Sequence, residues 1–351
     1  MPATVSLVAD LRPVTRRVQE RMRDGEPSFA AMVEALKAST LVIANLETPL
    51  SKRGHPVPKW RNLRSDPEVI QDVKALGVHA VTLANNHMMD YGPEALADTL
   101  ATCDSAGLAR CGAGLDLEEA SRPLTFDVGG CRVGLLNLAT TLPMGFDAGP
   151  GKPGLAPLRV DFALEIDTNF MVESPGAMPT VRTAVRADEQ QALCERIRSL
   201  KAAVDVAVVS IHWGVPDFWL SPAQGVLAQY QQPLAHAMIE AGADIVYGHH
   251  SHTLHPIEVY RGKPIFYSPG NFFFEFDRPR PYMERRSFIA TVTVGAGLSI
   301  DLVPLVHDDR GLPSRATGPE AQAVFDRLVD LSAPFKTRFK IAGDRAALIL
   351  A

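Results

Sequence analysis

Five short apolar runs in this 351-residue chain each end on a cluster of ligand-type side chains. Asp10 closes the run 4–9, and Asn45 and Glu47 follow 40–44. Asn85, Asn86, His87 and Asp90 follow 78–83; His212 follows 204–211; His249, His250 and His252 follow 245–247. Runs this short, separated by amphipathic stretches, read as strands alternating with helices. Ligands of an open α/β sheet gather beside the carboxyl ends of its strands. The pattern therefore predicts an α/β chain with one site collected at one sheet edge.

The intervening helices follow from spacing. Phe29, Met32, Val33 and Leu36 recur at i, i+3, i+4 and i+7, and Leu96, Thr99, Leu100 and Cys103 mark a helix over 93–106 that stops at Gly107. Residues 124–128 and 132–138 flank Gly129-Gly130 as a hairpin. Leu193, Ile197 and Leu200 mark a further helix, and another is expected over 226–239 after the start signal Ser221-Pro222. The end of the chain is richer in strands, over 256–260, 263–267, 288–294 and 298–306. Two similar halves predict a two-sheet α/β sandwich, one domain over 1–315. Residues 140–185, rich in Pro and Gly, read as a loop insertion, either a lid or a variable surface segment. Residues 316–351 are expected to form a helical tail packed on the domain.

Composition narrows the functional classes. Hydrophobic residues are 46% and charged residues 21%, enough apolar content for a sizeable core. The net charge of −5 and the lack of a basic run argue against a nucleic-acid partner. Four cysteines without CxxC spacing argue against a disulfide scaffold. The start of the chain lacks the form of a signal peptide and no run approaches a membrane span, so the expectation is a cytoplasmic protein without a membrane anchor. Oligomeric state is not legible.

The clustered residue types suit a metal. Asp10, Glu47 and the Asn86 amide offer oxygen, while His212 and one of His250 and His252 offer imidazole nitrogen. Direct imidazole coordination favours Mn²⁺, Fe²⁺ or Zn²⁺; oxygen and water ligands favour Ca²⁺ or Mg²⁺. Taken singly, an Asp or Asn after a strand is ordinarily a helix cap or turn former. His79 reads as a core residue, His55, His236 and His307 as structural or exposed, and His249 and His255 carry no firm role.

The motifs Ala44-Asn45-Leu46-Glu47, Ala84-Asn85-Asn86-His87 through Asp90-Tyr91-Gly92, His212-Trp213-Gly214, Gly248-His249-His250-Ser251-His252 and Tyr267-Ser268-Pro269-Gly270-Asn271-Phe272 resemble the CapA family of poly-γ-glutamate capsule synthesis. The likeness runs in order from about residue 4 to 295. It implies a calcineurin-like metallophosphatase fold, a four-layer α/β/β/α sandwich with the metal at the strand ends. On that resemblance Asn86 is a ligand, His87 faces the substrate, and His250 and His252 match the closing His-x-His motif. The opening Asp-x-His of dinuclear metallophosphatases is Asp10-Leu11-Arg12 here, and Asn45-Leu46-Glu47 stands where an Asp is usual. This points to one divalent metal instead of two, with Ca²⁺ favoured by the resemblance and Arg12 left to bind a phosphate or carboxylate.

The chain is also similar to the calcium-associated peptide epimerases of lasso-peptide biosynthesis, a CapA-like branch. That likeness implies inversion of a Cα in a C-terminal residue of a ribosomal precursor peptide by His/Asp acid–base catalysis. One pair would be His87 with Asp90 or Asp10; the other would join His212 or a histidine of 249–252 to Asp10 or Asp217. His87, Asp10, Asp90, His250 and His252 are thus the catalytic candidates, and Arg12, Asn45, Trp213, Trp219 and Asn271 the substrate contacts. Trp213, Phe218 and Trp219, with Arg278, Arg280, Arg285 and Arg286, can take the apolar side chain and carboxylate of a peptide. Phe272–Phe274 and Phe276 follow Asn271 as a further aromatic group, of which Phe272–Phe274 read more readily as core. The alternatives are a metal-dependent phosphoester or amide hydrolase acting on a small molecule or peptide, and a non-enzymatic accessory of polyglutamate assembly.

Overall fold

Strand Thr4–Arg12 is buried along nearly its whole length, with Val5, Leu7, Val8, Ala9 and Leu11 as its apolar residues and Ser6, Asp10 and Arg12 buried among them. Val5 and Leu7 enter the core between two sheets, while Val8 and Leu11 face a layer of helices. The strand lies inside a ten-stranded sheet and pairs in parallel with Leu41–Leu46, which continues to Ala80–Thr82 and Ala109–Cys111. On its other side it pairs antiparallel with Arg286–Thr293 and, further along, in parallel with Asn271–Phe274. A second, six-stranded sheet runs Ile257–Tyr260, Lys263–Phe266, Ile245–His249, Val206–His212, Cys131–Ala139, Leu124–Val128. The computed structural model describes residues 3–15, 17–176, 180–214, 226–276 and 284–350.

Three apolar clusters define four layers, as the resemblance implies. Helices Pro27–Lys37 and Gly92–Ala106 pack on the outer face of the first sheet through Phe29, Met32, Leu96 and Leu100. Val5, Leu7, Ile43, Val133, Val208 and Phe266 fill the space between the sheets. Helices Ala187–Ala203 and Gln231–Glu240 cover the second sheet through Leu193, Ile197, Leu234 and Met238. Tyr247 crosses the inner layer and its hydroxyl donates to the Leu7 carbonyl over 2.9 Å, tying the sheets together where the strands end. Among the described residues, no helix is long and apolar enough to cross a membrane.

Several expectations need correction. Residues 140–185 are not a structureless loop: strand Val160–Glu165 pairs antiparallel with Thr180–Val185, and helix Thr168–Glu173 lies between them. The tail is helical only over Gly318–Ser332 and the short turn after it. Arg338–Ala342 and Arg345–Ile349 then form a hairpin that extends the first sheet beside Ser299–His307. Its alternation of apolar and charged residues is a strand period that a helical reading overlooks. His79 is exposed, not core, and its Nδ1 accepts from the Val42 amide over 3.0 Å. The start signal Ser221-Pro222 lies outside the described residues; the helix it was to open begins at Gln231.

Two glycines show different constraints. Gly107 ends helix Gly92–Ala106 at φ 71°, with open space around it. Gly112, at φ 93°, faces Asn137, whose Oδ1 accepts from the amides of Leu83 and Ala84 at 3.1 and 2.8 Å. A Cβ on Gly112 would sit 1.8 Å from that oxygen. Gly112→Ala is therefore expected to cost about 2–4 kcal/mol, and Gly107→Ala only about 1 kcal/mol. Urea unfolding of both variants checks the ranking, and equal losses would contradict it.

Candidate metal centre

Strand register assembles the centre. Asp10 lies opposite Asn45 on one neighbour and Asn271 on the other, and His212 lies opposite His249. Each group thus needs only its strand to be in register, not a separate fold.

Asp10 is the hub. It is fully buried and accepts from Asn45 Nδ2 at 2.9 Å, while His249 Nδ1 stands 2.9 Å and His252 Nδ1 3.3 Å from its oxygens. Burial alone would raise its pKa, but hydrogen bonds from His249 and His252 hold it well below the usual carboxylate range. His252 is correspondingly pushed up to about 9: burial opposes its charge, and the Glu47 and Asp10 carboxylates outweigh burial. His250 and His252 adopt φ 104° and 55°, left-handed conformations unusual for residues with a Cβ. In that geometry the His250 amide reaches Asp10 Oδ2 at 3.4 Å and its Nδ1 comes 3.0 Å from His212 Nε2.

Glu47 is the anomaly. It is fully buried, and neither carboxylate oxygen has a hydrogen-bond donor. Its Oε1 stands 3.6 Å from both His212 Nε2 and His252 Nε2. Burial drives its pKa well above the normal value. An ionised carboxylate placed so costs several kcal/mol unless a positive charge meets it. Ligand atoms of Glu47, His212 and His250 lie within 4.8 Å of one another, as do those of Asp10, Glu47 and His252. These two groups share Glu47. Buried carboxylate oxygens facing imidazole nitrogens fit a divalent metal ion. The half-buried Asn86 is at the same place, its Oδ1 2.8 Å from His212 Nε2.

Beside this centre stands a second constellation. His87 Nδ1 lies 2.6 Å from Asp90 Oδ2, which also accepts from the Leu63 amide at 2.6 Å. Lys59 Nζ donates to Asp90 Oδ1 at 2.5 Å and to the Asn86 carbonyl, and it lies 3.2 Å from His87 Nδ1. Burial lowers His87 to about 4, beyond what Asp90 restores, and burial also lowers Lys59. Sequence reasoning missed Lys59, which sits in an irregular polar segment and not at a strand end. Its only signal was a lysine flanked by Pro58 and Trp60. It also left His249 without the role that Asp10 reveals.

The other candidates fall into place differently. Trp213 is not at a substrate surface: it is 1% exposed, stacks on Tyr267 and donates to that residue's carbonyl over 3.0 Å. Asn45 is buried and braces Asp10, with its Nδ2 3.4 Å from His212 Nδ1. Asn271 is also buried, its Oδ1 2.9 Å from His252 Nδ1. Arg12 is buried and donates to the Glu275 carbonyl over 2.6 Å. Phe272–Phe274 are core, as read. Trp219, Asp217, Phe218, Arg278 and Arg280 lie outside the described residues. Arg286 is engaged by Glu284. His236 meets Glu258, and His307 lies between two backbone carbonyls, consistent with structural roles.

The family profile described as bacterial capsule synthesis protein PGA_cap matches residues 8–275. The chain belongs to this family. An uncharacterised protein of Sinorhizobium fredii is 27% identical over 412 aligned residues, covering 92% of this chain and 88% of that one. The PGA biosynthesis protein CapA of Bacillus subtilis is 32% identical over 72% of this chain and 58% of its own length. The capsule biosynthesis protein CapA of Bacillus anthracis is 31% identical over 78% and 60%. The matched region contains every residue of the centre.

A cation held by Glu47 and His252 would displace the proton that burial favours on Glu47 and that the facing carboxylates favour on His252. Mn²⁺ binding is therefore expected to release protons and to tighten as pH rises toward about 9, the His252 value. Calorimetry in buffers of different ionisation enthalpy reads both effects. Glu47→Gln, nearly isosteric but uncharged, is expected to weaken Mn²⁺ roughly tenfold or more; unchanged affinity would remove Glu47 from the ligand set.

Proposed function

We propose that this PGA_cap protein is a divalent-metal enzyme that performs proton-transfer chemistry at the amide backbone of a carboxylate-rich, glutamyl-type peptide or polymer. The observation that carries the reading is the donor-free Glu47 carboxylate among His212, His250 and His252, with His87 and Asp90 beside it. Glu47, His212, His250, His252 and Asp10 would hold the metal, and Mn²⁺, Fe²⁺ or Zn²⁺ suits so many imidazoles better than Ca²⁺, which favours six to eight oxygens. When bound, such an ion polarises a carbonyl or acidifies a water. The substrate class follows from the biosynthetic names of the relatives, which concern PGA and capsule.

The residues of the chain divide the remaining work. With Nδ1 directed at Asp90, His87 presents Nε2 as the basic nitrogen. Its depressed pKa keeps it neutral at neutral pH and therefore ready to accept a proton. Lys59 fixes Asp90 from the other side and, as a cation, opposes protonation of His87.

Incubating the protein and Mn²⁺ with γ-linked glutamyl oligomers should change their chain length by mass spectrometry. His87→Ala is expected to lower kcat roughly 10²-fold or more. The acid limb of the rate should fall as pH drops through about 4, where His87 becomes protonated. Oligomers left intact, or an equally active His87→Ala variant, would contradict the reading.

A second reading, Cα epimerisation, is favoured by one feature: two separate His–Asp pairs, His87–Asp90 and His252–Asp10. Two such pairs can remove a proton from one face of a carbon and return it to the other. In D₂O it predicts one deuterium at the inverted Cα without chain cleavage. Absence of exchange in every peptide tried, alongside cleavage, would leave the first reading, with the proton transfers serving attack of water on the amide, standing alone.

A further inference from the structure

Outside the metal centre, one cavity of about 660 Å³ stands out on the helical side of the second sheet. Strand Cys131–Ala139 separates the two places. Asn137 points inward to the amides of Leu83 and Ala84, whereas Leu138 points outward, beneath the cavity. Leu138, Leu158 and Leu193 belong to the closed core beneath it, at 1%, 1% and 3% exposed, and its accessible apolar surface comes from Leu117, 37% exposed, the half-buried Pro157 and the exposed Ala192.

Arg196, on helix Ala187–Ala203, is the cation of this wall whose charge has no carboxylate. Its Nη2 donates to the Ser121 carbonyl over 2.7 Å, and among the described residues no acidic side chain pairs with it. Arg159, in the same lining, is saturated by contrast. It bonds Glu189 at 2.9 Å and Asp147 at 2.6 Å. Asp116 is likewise occupied, accepting from the Glu119 amide at 2.8 Å. Burial lowers the pKa of Arg196, the response of a desolvated cation lacking a counter-charge. Five guanidinium N–H groups with one acceptor leave a planar fork able to take a carboxylate bidentately.

We propose that this cavity binds an amphipathic monocarboxylate, its carboxylate on Arg196 and its hydrocarbon body over Leu117, Pro157 and Ala192. A volume of this size lies in the range of small-molecule pockets, and its apolar wall suits an alkyl or aryl chain better than a sugar or nucleotide. Glu118 and Glu189 in the same lining disfavour a polyanion, so the ligand differs from the acidic polymer proposed for the metal centre. The inference does not rest on that functional reading.

Octanoate is the probe, titrated calorimetrically into the full chain. Saturable one-site binding is expected, weakened roughly tenfold or more by Arg196→Met, which keeps the apolar stem and removes the charge. On the unaltered protein, 1-octanol should bind roughly tenfold or more weakly than octanoate. The Arg196→Met variant should retain its melting temperature within a few degrees and its Mn²⁺ binding. If it fails to fold, the comparison of octanoate with octanol decides alone. No saturable octanoate binding, or octanol bound as tightly as octanoate, would overturn the proposal. So would a folded Arg196→Met variant with full affinity.

Discussion

A buried carboxylate that no donor satisfies organises this molecule. Glu47 sits at the end of strand Leu41–Leu46 with both oxygens away from water and without a hydrogen-bond donor. Asp10, a few ångströms away, shows the contrast: it takes hydrogen bonds from Asn45 and His249 and a close charge from His252. Asp10 holds imidazoles in place; Glu47 faces them with nothing between. An arrangement of this kind is unfavourable for a neutral protein interior and favourable around a dication.

The rest of the structure maintains that geometry. Parallel register aligns Asp10 with Asn45 and His212 with His249, and Tyr247 fastens the two sheets just behind them. Asn85 donates to the Leu46 carbonyl and accepts from the His87 amide, linking the Glu47 strand to the His87 turn. Asn137 then holds that turn from the opposite sheet. The left-handed conformations of His250 and His252 persist because Asp10, His212 and Asn271 hold these two residues from several sides.

Much of this was legible in the residues. Apolar runs ending in Asp, Glu, Asn and His located the strand ends, since a parallel strand is buried on both faces and its polar end is where the layer opens. The helices with clear 3.6 periodicity, such as Gly92–Ala106, were legible too. What escaped has a common cause: contacts between segments distant in sequence. Lys59 acquires its role only where its loop meets the turn of Asn86 to Asp90. Trp213, next to His212, points into the outer core because Gly248 leaves room for its indole nitrogen. The hairpin Arg338–Ala342/Arg345–Ile349 carries a strand period over only five residues a side, and its place beside Ser299–His307 is again a contact distant in sequence.

The central claim is that a divalent cation belongs at Glu47. Crystals of the protein soaked in Mn²⁺ and measured at the manganese absorption edge test it most directly. The account predicts an anomalous peak at roughly 2–2.3 Å from a Glu47 carboxylate oxygen, with at least one of His212, His250 and His252 in the same coordination shell. Density for a protein donor or an ordered water on both Glu47 oxygens, with no anomalous peak beside them, would contradict it.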